Sequence, residues 1–186
     1  MKVFLNPGHD IEYDSGAVNP NNGTREADVA ARVGERVKGY LEAAGCEVML
    51  LQSDNLYWDS KYPDRNQAVV PTANNWMADV FVSIHCNACS GTARGTETWT
   101  YGSRDGRELA ECIQNQLINS IDTIDRGVKT TSKFLVLRST DMPAALVEMA
   151  FIDNDDDCRL LLEQEDEFAR AIARGVTDYQ LQEGIA

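Results

Sequence analysis

Short apolar runs alternate along the chain with stretches in which apolar residues recur at every third or fourth position. The short runs predict β-strands at residues 2–5, 47–51, 80–84, 96–101, 134–137 and 144–152. The helical spacing predicts α-helices near residues 24–44, 64–76, 108–121 and 160–182. We therefore expect an α/β fold, a single three-layer α/β/α domain with a mostly parallel, twisted sheet of about six strands.

Local signals refine the boundaries of these elements. Thr24 is the expected N-cap of the first long helix, and Gly45 is expected to end it. Pro71 lies inside the second helical stretch, where we expect a broken or kinked helix because proline removes a backbone donor. The domain is expected to span residues 1–180, with residues 181–186 as a C-terminal tail or the start of a linker.

The composition narrows the range of partners. The chain has 186 residues and a formal net charge of −13, from 17 basic and 30 acidic residues. A nucleic-acid partner is disfavoured because phosphate contacts need clustered Lys and Arg. A membrane partner is disfavoured because no apolar run approaches the roughly 18 residues that a spanning helix needs.

The cysteines favour a reducing compartment. There are five, at positions 46, 86, 89, 112 and 158, and an odd number argues against a secreted disulfide framework. The N-terminus leads directly into a strand, so we expect no signal peptide and synthesis in the cytoplasm. Cys86 and Cys89 have the spacing of half a redox or metal motif, but the second half is missing. Both are interpreted as ordinary core or loop residues.

The chain has two histidines, and each is predicted to follow a strand. His9 comes after the strand at residues 2–5 and the break Asn6-Pro7-Gly8, and His85 ends the strand at residues 80–84. The carboxyl ends of parallel strands are where ligands bind in open α/β sheets. The two histidines are therefore expected to share one site. Ser83 lies on the same strand face as His85, but no nucleophile elbow is present to support a Ser–His pair.

Two glutamates are candidates for the same site. Glu26 is in the first turn of the first long helix, where a carboxylate can simply complement the helix dipole. It also lies on the apolar face of that helix, where a charge needs a partner, and with two histidines in reach we favour a ligand role. Glu148 interrupts the apolar run at residues 144–152. It either pairs with Arg138 or acts as a general acid/base of raised pKa, and we favour the second.

Two histidines and one carboxylate are a familiar open zinc set, which leaves a fourth position for water. The chain offers His9, Glu26 and His85 for this set, with Glu148 left to move the proton. The local spacing is not diagnostic, because no H-E-x-x-H motif is present.

Several separated motifs carry a family resemblance. They are Asn6-Pro7-Gly8-His9, Gly16-Ala17, Glu26, and residues 82–88, 125–129, 136–138, 142–144 and 147–154. In this order they resemble the zinc-dependent N-acetylmuramoyl-L-alanine amidases of the Amidase_3 type, over residues 2 to about 180. The resemblance implies one Zn²⁺ held by His9, Glu26 and His85, with Glu148 as the catalytic carboxylate.

The chain departs from the family pattern at three places. Asn6 stands where the family usually has Asp, so a hydrogen bond from this side chain to the strand end or to His9 is expected to differ. Cys86 replaces the usual Ala, and its thiol is a possible competitor for the metal. The segment at residues 61–77, normally a regular helix with Glu-Arg near its start, carries Asp64-Arg65 and Pro71.

The resemblance implies hydrolysis of the amide between the lactyl group of N-acetylmuramic acid and L-alanine of the peptidoglycan stem peptide. The expected partner is peptidoglycan, and the expected setting is a phage or prophage endolysin that acts at the bacterial cell wall. The acidic composition suggests that wall attachment lies in a further C-terminal module. The alternatives are a bacterial autolysin domain, a zinc peptidase of related fold and a non-catalytic muropeptide-binding module.

Overall fold

Alternating side chains on the strands face two separate apolar cores, one on each side of a six-stranded sheet. The computed structural model describes residues 1–184. Its strands are β1 (Lys2–Pro7), β2 (Glu47–Leu50), β3 (Val80–Asn87), β4 (Thr96–Thr100), β5 (Asp125–Thr130) and β6 (Ala144–Phe151). Its helices are α1 (Glu26–Ala43), α2 (Val69–Trp76), α3 (Arg104–Ser120), α4 (Leu135–Arg138), α5 (Asp155–Glu163) and α6 (Glu165–Glu183).

The sheet has the strand order β2-β1-β3-β6-β4-β5. All neighbouring pairs are parallel except β4 and β6, which are antiparallel. The strand that follows β1 in the sequence, β2, lies on one side of β1, and the later strands β3 and β6 lie on the other. The strand order therefore switches direction between β1 and β3. Ligand crevices form at such a switch, at the carboxyl ends of the strands.

The larger core lies between the sheet and the helices α1, α3 and α6, and includes Val3, Val82 and Val147 from the strands. The smaller core lies on the other face, under α2 and α4, and includes Phe4 and Phe81, whose rings stack with centroids 5.6 Å apart. Helices on both faces of a mostly parallel sheet confirm the predicted three-layer α/β/α fold.

The smaller core stops before the carboxyl edge of the sheet, and polar residues take over on the same face. Side chains two apart on a strand point the same way. Phe4 is therefore followed by Asn6, Phe81 by Ser83, and Leu146 by Glu148. The apolar core shields these polar residues from water on one side. Asn6 and Glu148 also line a cavity, whereas Ser83 is fully buried.

The strand at residues 134–137 was predicted wrongly. Leu135–Arg138 form the short helix α4, with Val136 and Leu137 packed in the smaller core. A four-residue apolar run fits a buried helical turn as well as a strand. The prediction also missed β5 (Asp125–Thr130), an edge strand whose charged residues and glycine leave no apolar run.

Helix boundaries differ from the prediction in all four predicted helices. Helix α3 begins at Arg104 rather than at residue 108. Helix α2 begins at Val69 rather than at residue 64, and Pro71 lies in its first turn, where a missing N–H interrupts no intrahelical bond. Helix α1 begins at Glu26, with Arg25 rather than Thr24 at the N-cap. The predicted helix at residues 160–182 is two helices that meet at Gln164.

The C-terminal part of the chain is helical beyond the predicted domain boundary at residue 180. Helix α6 continues to Glu183 and is capped by Gly184 in the left-handed conformation, so residues 181–183 are helical. Residues 185–186 lie outside the described part of the chain, and the division into domain and tail stays a prediction. Within residues 1–184, no helix is both long and apolar enough to span a membrane.

Candidate metal centre

The two histidines meet at the carboxyl edge of β1 and β3. His85 lies on β3, and His9 follows β1 after Gly8, whose N–H donates to the Ile84 carbonyl at 2.8 Å. His9 has a φ of 64°, a left-handed conformation that is uncommon for a non-glycine residue and turns the chain back over the sheet edge. The two rings approach edge to face, with centroids 5.2 Å apart.

Glu26 lies between the two imidazoles. It is the first residue of α1 and is only 4% exposed. Its Oε2 is 3.0 Å from His9 Nε2, and its Oε1 is 2.9 Å from His85 Nδ1. Backbone N–H groups of Ala17 and Cys86 also donate to the carboxylate, at 2.9 and 3.0 Å. The carboxylate is therefore held at the centre of the site.

The structure brings together all three residues that the sequence predicted as metal ligands. One ligand atom from each of His9, Glu26 and His85 lies within 4.8 Å of the others. Glycines make this approach possible, because a Cβ at Gly8 would lie closer than 3.0 Å to the His85 ring, and one at Gly16 equally close to His9. The role of these residues as ligands stays a prediction.

The outer nitrogen of each imidazole has its own acceptor. His9 Nδ1 is 2.7 Å from Asp14 Oδ2, and His85 Nε2 is 3.1 Å from Ser83 Oγ. Ser83 in turn donates to Asn6 Oδ1 at 3.0 Å. Asn6, which stands where the family usually has Asp, therefore supports His85 through Ser83 and not His9. A proton on each outer nitrogen leaves the lone pairs of His9 Nε2 and His85 Nδ1 facing inwards, the arrangement that a metal ligand needs.

The charges of this group are strongly coupled. Burial would lower the pKa of His9, but the hydrogen bonds and charges of Glu26 and Asp14 outweigh it and raise that pKa to about 9. Burial would raise the pKa of Glu26, but the two imidazoles hold it well below the usual range. The buried carboxylate of Glu26 is thus kept ionised by its contacts with the two imidazoles.

This donor set fits zinc. Two imidazole nitrogens and one carboxylate oxygen are the ligands of open catalytic zinc sites. The inward-facing lone pairs and the support behind each ring match the second requirement, fixed ligand orientation. The Cys86 thiol is not part of the group within the described chain. It packs in the larger core, where burial raises its pKa well above the ordinary value.

Glu148 lies on β6, directly beside His85 in the parallel register. Its Oε2 is buried and has no hydrogen-bond partner among residues 1–184. Burial, with the nearby charges of Glu26 and Glu97, raises the pKa of Glu148 well above its usual value. The alternative partner Arg138 donates to the carbonyls of Ser132 and Lys133 instead.

A cavity of about 360 Å³ joins these groups. His9, Glu26, His85 and Glu148 line its polar floor. Apolar side chains from α4 and the loop after β2 line its wall, among them Leu56, Phe134, Leu135 and Val136. An apolar cleft with a few convergent polar groups is typical of a small-molecule or substrate site.

Sequence reasoning missed the residues that surround this floor. Asp14 was not distinguished from the other polar residues of its loop, and Glu97 lies in a stretch that alternates like an ordinary half-buried strand. Cys86 and Cys89 form no disulfide, and Cys89 is exposed, in agreement with their interpretation as core and loop residues.

Comparisons with known proteins agree with this geometry. The family model of N-acetylmuramoyl-L-alanine amidases matches residues 3–178. N-acetylmuramoyl-L-alanine amidase LytC of Bacillus subtilis (strain 168) is 37% identical over 95% of this chain, which spans 35% of LytC. The endolysin of Bacillus phage SPP1 is 35% identical over 93% of this chain, which spans 62% of that protein.

A solved structure extends the match to the fold. N-acetylmuramoyl-L-alanine amidase AmiC2 of Nostoc punctiforme superposes with a TM-score of 0.84 and 34% identity, covering 98% of this chain and 97% of that one. The family model spans nearly the whole chain, and the sheet carries the group of His9, Glu26 and His85 at its carboxyl edge. The chain therefore belongs to the N-acetylmuramoyl-L-alanine amidase family.

Proposed function

We propose that the chain is a zinc-dependent catalytic domain that hydrolyses the amide between the lactyl group of N-acetylmuramic acid and L-alanine of the stem peptide. The observation that carries this proposal is the convergence of His9, Glu26 and His85 in one cavity with the buried carboxyl group of Glu148. Membership of the amidase family supports the choice of bond.

His9 Nε2, His85 Nδ1 and one oxygen of Glu26 would hold a single zinc ion. When bound, zinc polarises a carbonyl group and makes a water molecule more acidic. Asp14 and Ser83 keep the protons of the two imidazoles on the outer nitrogens, so the inner nitrogens stay available.

Glu148 moves the proton in this proposal. Its carboxylate accepts a proton from water as the water oxygen bonds to the lactyl carbonyl carbon. The protonated carboxyl group then donates that proton to the L-alanine nitrogen as the C–N bond breaks. The products are the lactyl carboxylic acid and a free L-alanine amine. A raised pKa suits the second step, because a weaker acid keeps its proton until the amine leaves.

Digestion of purified peptidoglycan, with and without a chelator, tests the proposal. We expect new N-terminal L-alanine with intact stem peptides, no new reducing sugar ends, and loss of the reaction when the chelator is present. Cleavage between amino acids of the stem peptide would instead identify a peptidase. Binding of muropeptides without turnover would identify a non-catalytic module.

The ligand assignment has its own test. We expect His9→Ala and His85→Ala each to lose bound zinc, measured by elemental analysis of the purified protein, because two donors hold the ion poorly. Stoichiometric zinc in both variants would contradict the assignment.

We propose the bacterial cell wall as the place of action, with residues 1–180 as the catalytic domain and phage lysis as the setting. The relatives LytC and the SPP1 endolysin are both longer than this chain. This supports a separate wall-binding module in the whole protein. A lysis assay that compares residues 1–186 with the longest product of the same gene tests the need for that module, and the neighbouring genes distinguish phage lysis from autolysis.

A further inference from the structure

A second polar cluster joins the loop that carries His9 to the loop before α2. We define it as the loop clamp, formed by Asp10, Tyr13, Tyr62, Asp64 and Arg65. The two loops are more than fifty positions apart in the sequence, since Arg65 and Asp10 are separated by 55 residues. No part of the proposed catalytic step uses these residues, so their arrangement needs a separate explanation.

Arg65 is the centre of the loop clamp. Its guanidinium forms two hydrogen bonds with the Asp10 carboxylate. Nε donates to Oδ2, and Nη2 donates to Oδ1 at 2.9 Å. It also donates to Glu12 at 3.1 Å and to Asp64 at 2.9 Å. Asp10 is only 1% exposed and accepts further bonds from the backbone N–H groups of Glu12 and Tyr13. The hydrogen bonds from Arg65 lower the pKa of Asp10 to about 2.

Two aromatic rings pack beside the contact between Arg65 and Asp10. Tyr13 and Tyr62 stack with centroids 3.7 Å apart, and the Arg65 guanidinium lies 4.6 Å from the centroid of the Tyr13 ring. The Tyr13 hydroxyl donates to Asp64 at 2.9 Å. Arginine suits such a position because its planar group can stack and form a two-pronged hydrogen bond together, which lysine cannot do.

The loop clamp connects to the metal centre through a closed backbone loop. Asp10 and Asp14 exchange both backbone hydrogen bonds, N to O at 2.9 and 3.0 Å. The Asp14 side chain then holds His9 Nδ1 at 2.7 Å. His9 itself keeps a left-handed φ of 64°, a strained conformation for a non-glycine residue that persists only where the surroundings impose it.

We propose that Arg65 is a positioning residue for the metal ligand His9. By fixing Asp10, it fixes the loop that ends at Asp14, and Asp14 fixes the ring of His9. This inference rests on the proposed zinc site and adds a residue that never contacts the ion. Residues behind metal ligands typically contribute 10- to 100-fold to metal affinity.

Charge and positioning predict opposite results when Arg65 is replaced. Arg65 is a cation near a site for a divalent cation, so removing its charge alone would strengthen zinc binding. Losing the position of His9 would weaken it. Replacement of Asp10 does not separate the two effects, since loss of a nearby anion weakens zinc binding for either reason. Arg65 is therefore the informative residue.

The experiment measures the zinc dissociation constant of the full chain by competition with a chromophoric chelator. We expect Arg65→Gln to weaken zinc binding by roughly 10-fold or more. Arg65→Lys keeps the charge but loses the two-pronged geometry, and we expect a similar loss. Circular dichroism verifies that each variant is folded. If Arg65→Gln does not fold, Arg65→Lys carries the test.

Arg94→Gln is the matched control. Arg94 also binds a buried aspartate, donating to Asp157 Oδ1 at 2.9 Å, and Asp157 is fully buried. We expect this variant to lower stability but to leave the zinc dissociation constant unchanged. Unchanged or tighter zinc binding in the Arg65 variants would overturn the inference. Failure of the unmodified chain to bind zinc would overturn the zinc site itself, and the inference with it.

Discussion

Two glutamates at the same edge of the sheet have opposite surroundings. Glu97 on β4 and Glu148 on β6 are directly paired in the antiparallel register, so their side chains share a face. Four donors converge on Glu97, which is 3% exposed: Arg126, Lys129, Asn87 and Trp99. Glu148 Oε2 has none within the described chain.

The surroundings set the protonation of each carboxyl group. Burial would raise the pKa of Glu97, but hydrogen bonds from Lys129 and Arg126 outweigh it and lower that pKa. Burial raises the pKa of Glu148, and the ionised Glu97 raises it further. Titratable neighbours whose pKa values are pushed apart are typical of acid–base sites. Glu97 is therefore a fixed charge, and Glu148 is the group free to exchange a proton.

The largest expected effect is on turnover. We expect Glu148→Gln to lower kcat by a factor of about 10² to 10⁴, the usual contribution of a general acid/base. Zinc content should stay stoichiometric, because His9, Glu26 and His85 are unchanged. Initial rates on purified peptidoglycan and elemental analysis of the same sample measure the two quantities. Near-normal turnover would remove Glu148 from the mechanism.

The next effect is on stability, and it distinguishes the two glutamates. Glu97→Gln leaves two cations without their carboxylate. We expect the free energy of unfolding to fall by about 2 kcal/mol, less than for a fully buried pair, because Arg126 and Lys129 are 35% and 32% exposed. Glu148→Gln should change it little or raise it, since no ion pair is lost. Urea unfolding of both variants checks this, and equal losses would contradict the comparison.

The two glutamates should also give opposite pH dependence in metal-free protein. The lowered pKa of Glu97 adds stability that is present above the unfolded pKa of about 4.5 and lost as pH falls. The raised pKa of Glu148 adds stability that is present below about 4.5 and lost as pH rises through the folded value.

The measurement is the free energy of unfolding of each Gln variant and the unmodified chain across this range. As pH falls, Glu97→Gln should come closer to the unmodified chain in free energy of unfolding. Glu148→Gln should have a lower free energy of unfolding than the unmodified chain only at the acidic end of the range. Parallel curves for the two variants would show that their surroundings do not differ in this way.

The sequence was enough to find Glu148 but not Glu97. Glu148 interrupts an unbroken apolar run, so its burial can be inferred without a structure. Glu97 alternates with Thr96 and Thr98, a pattern that predicts a solvent-facing side chain on a half-buried strand. Its cations come from β5, an edge strand without an apolar run, so neither the strand nor the pairing could be predicted.

The candidate metal centre and the loop clamp differ in the same way. His9, His85 and Glu26 could be grouped because strand ends and helix starts are visible in the pattern of apolar residues, and parallel strands bring them together. The contact between Arg65 and Asp10 joins two irregular loops. Loop conformation follows from long-range hydrogen bonds that no local spacing encodes, and the predicted helix at residues 64–76 placed Arg65 wrongly on a helix.

The smallest expected effect is that of a single cation beside Glu97. Lys129→Met leaves Arg126, Asn87 and Trp99 in place as donors, and Lys129 is about one third exposed. We expect the free energy of unfolding to fall by less than about 1 kcal/mol, which for a chain of this size lowers Tm by no more than roughly 2–4 °C. Lys133→Met, at an exposed position on the loop after β5, is the matched control and should leave Tm unchanged. A loss as large as that of Glu97→Gln would mean that Lys129 alone keeps Glu97 ionised, and that the other three donors only orient it.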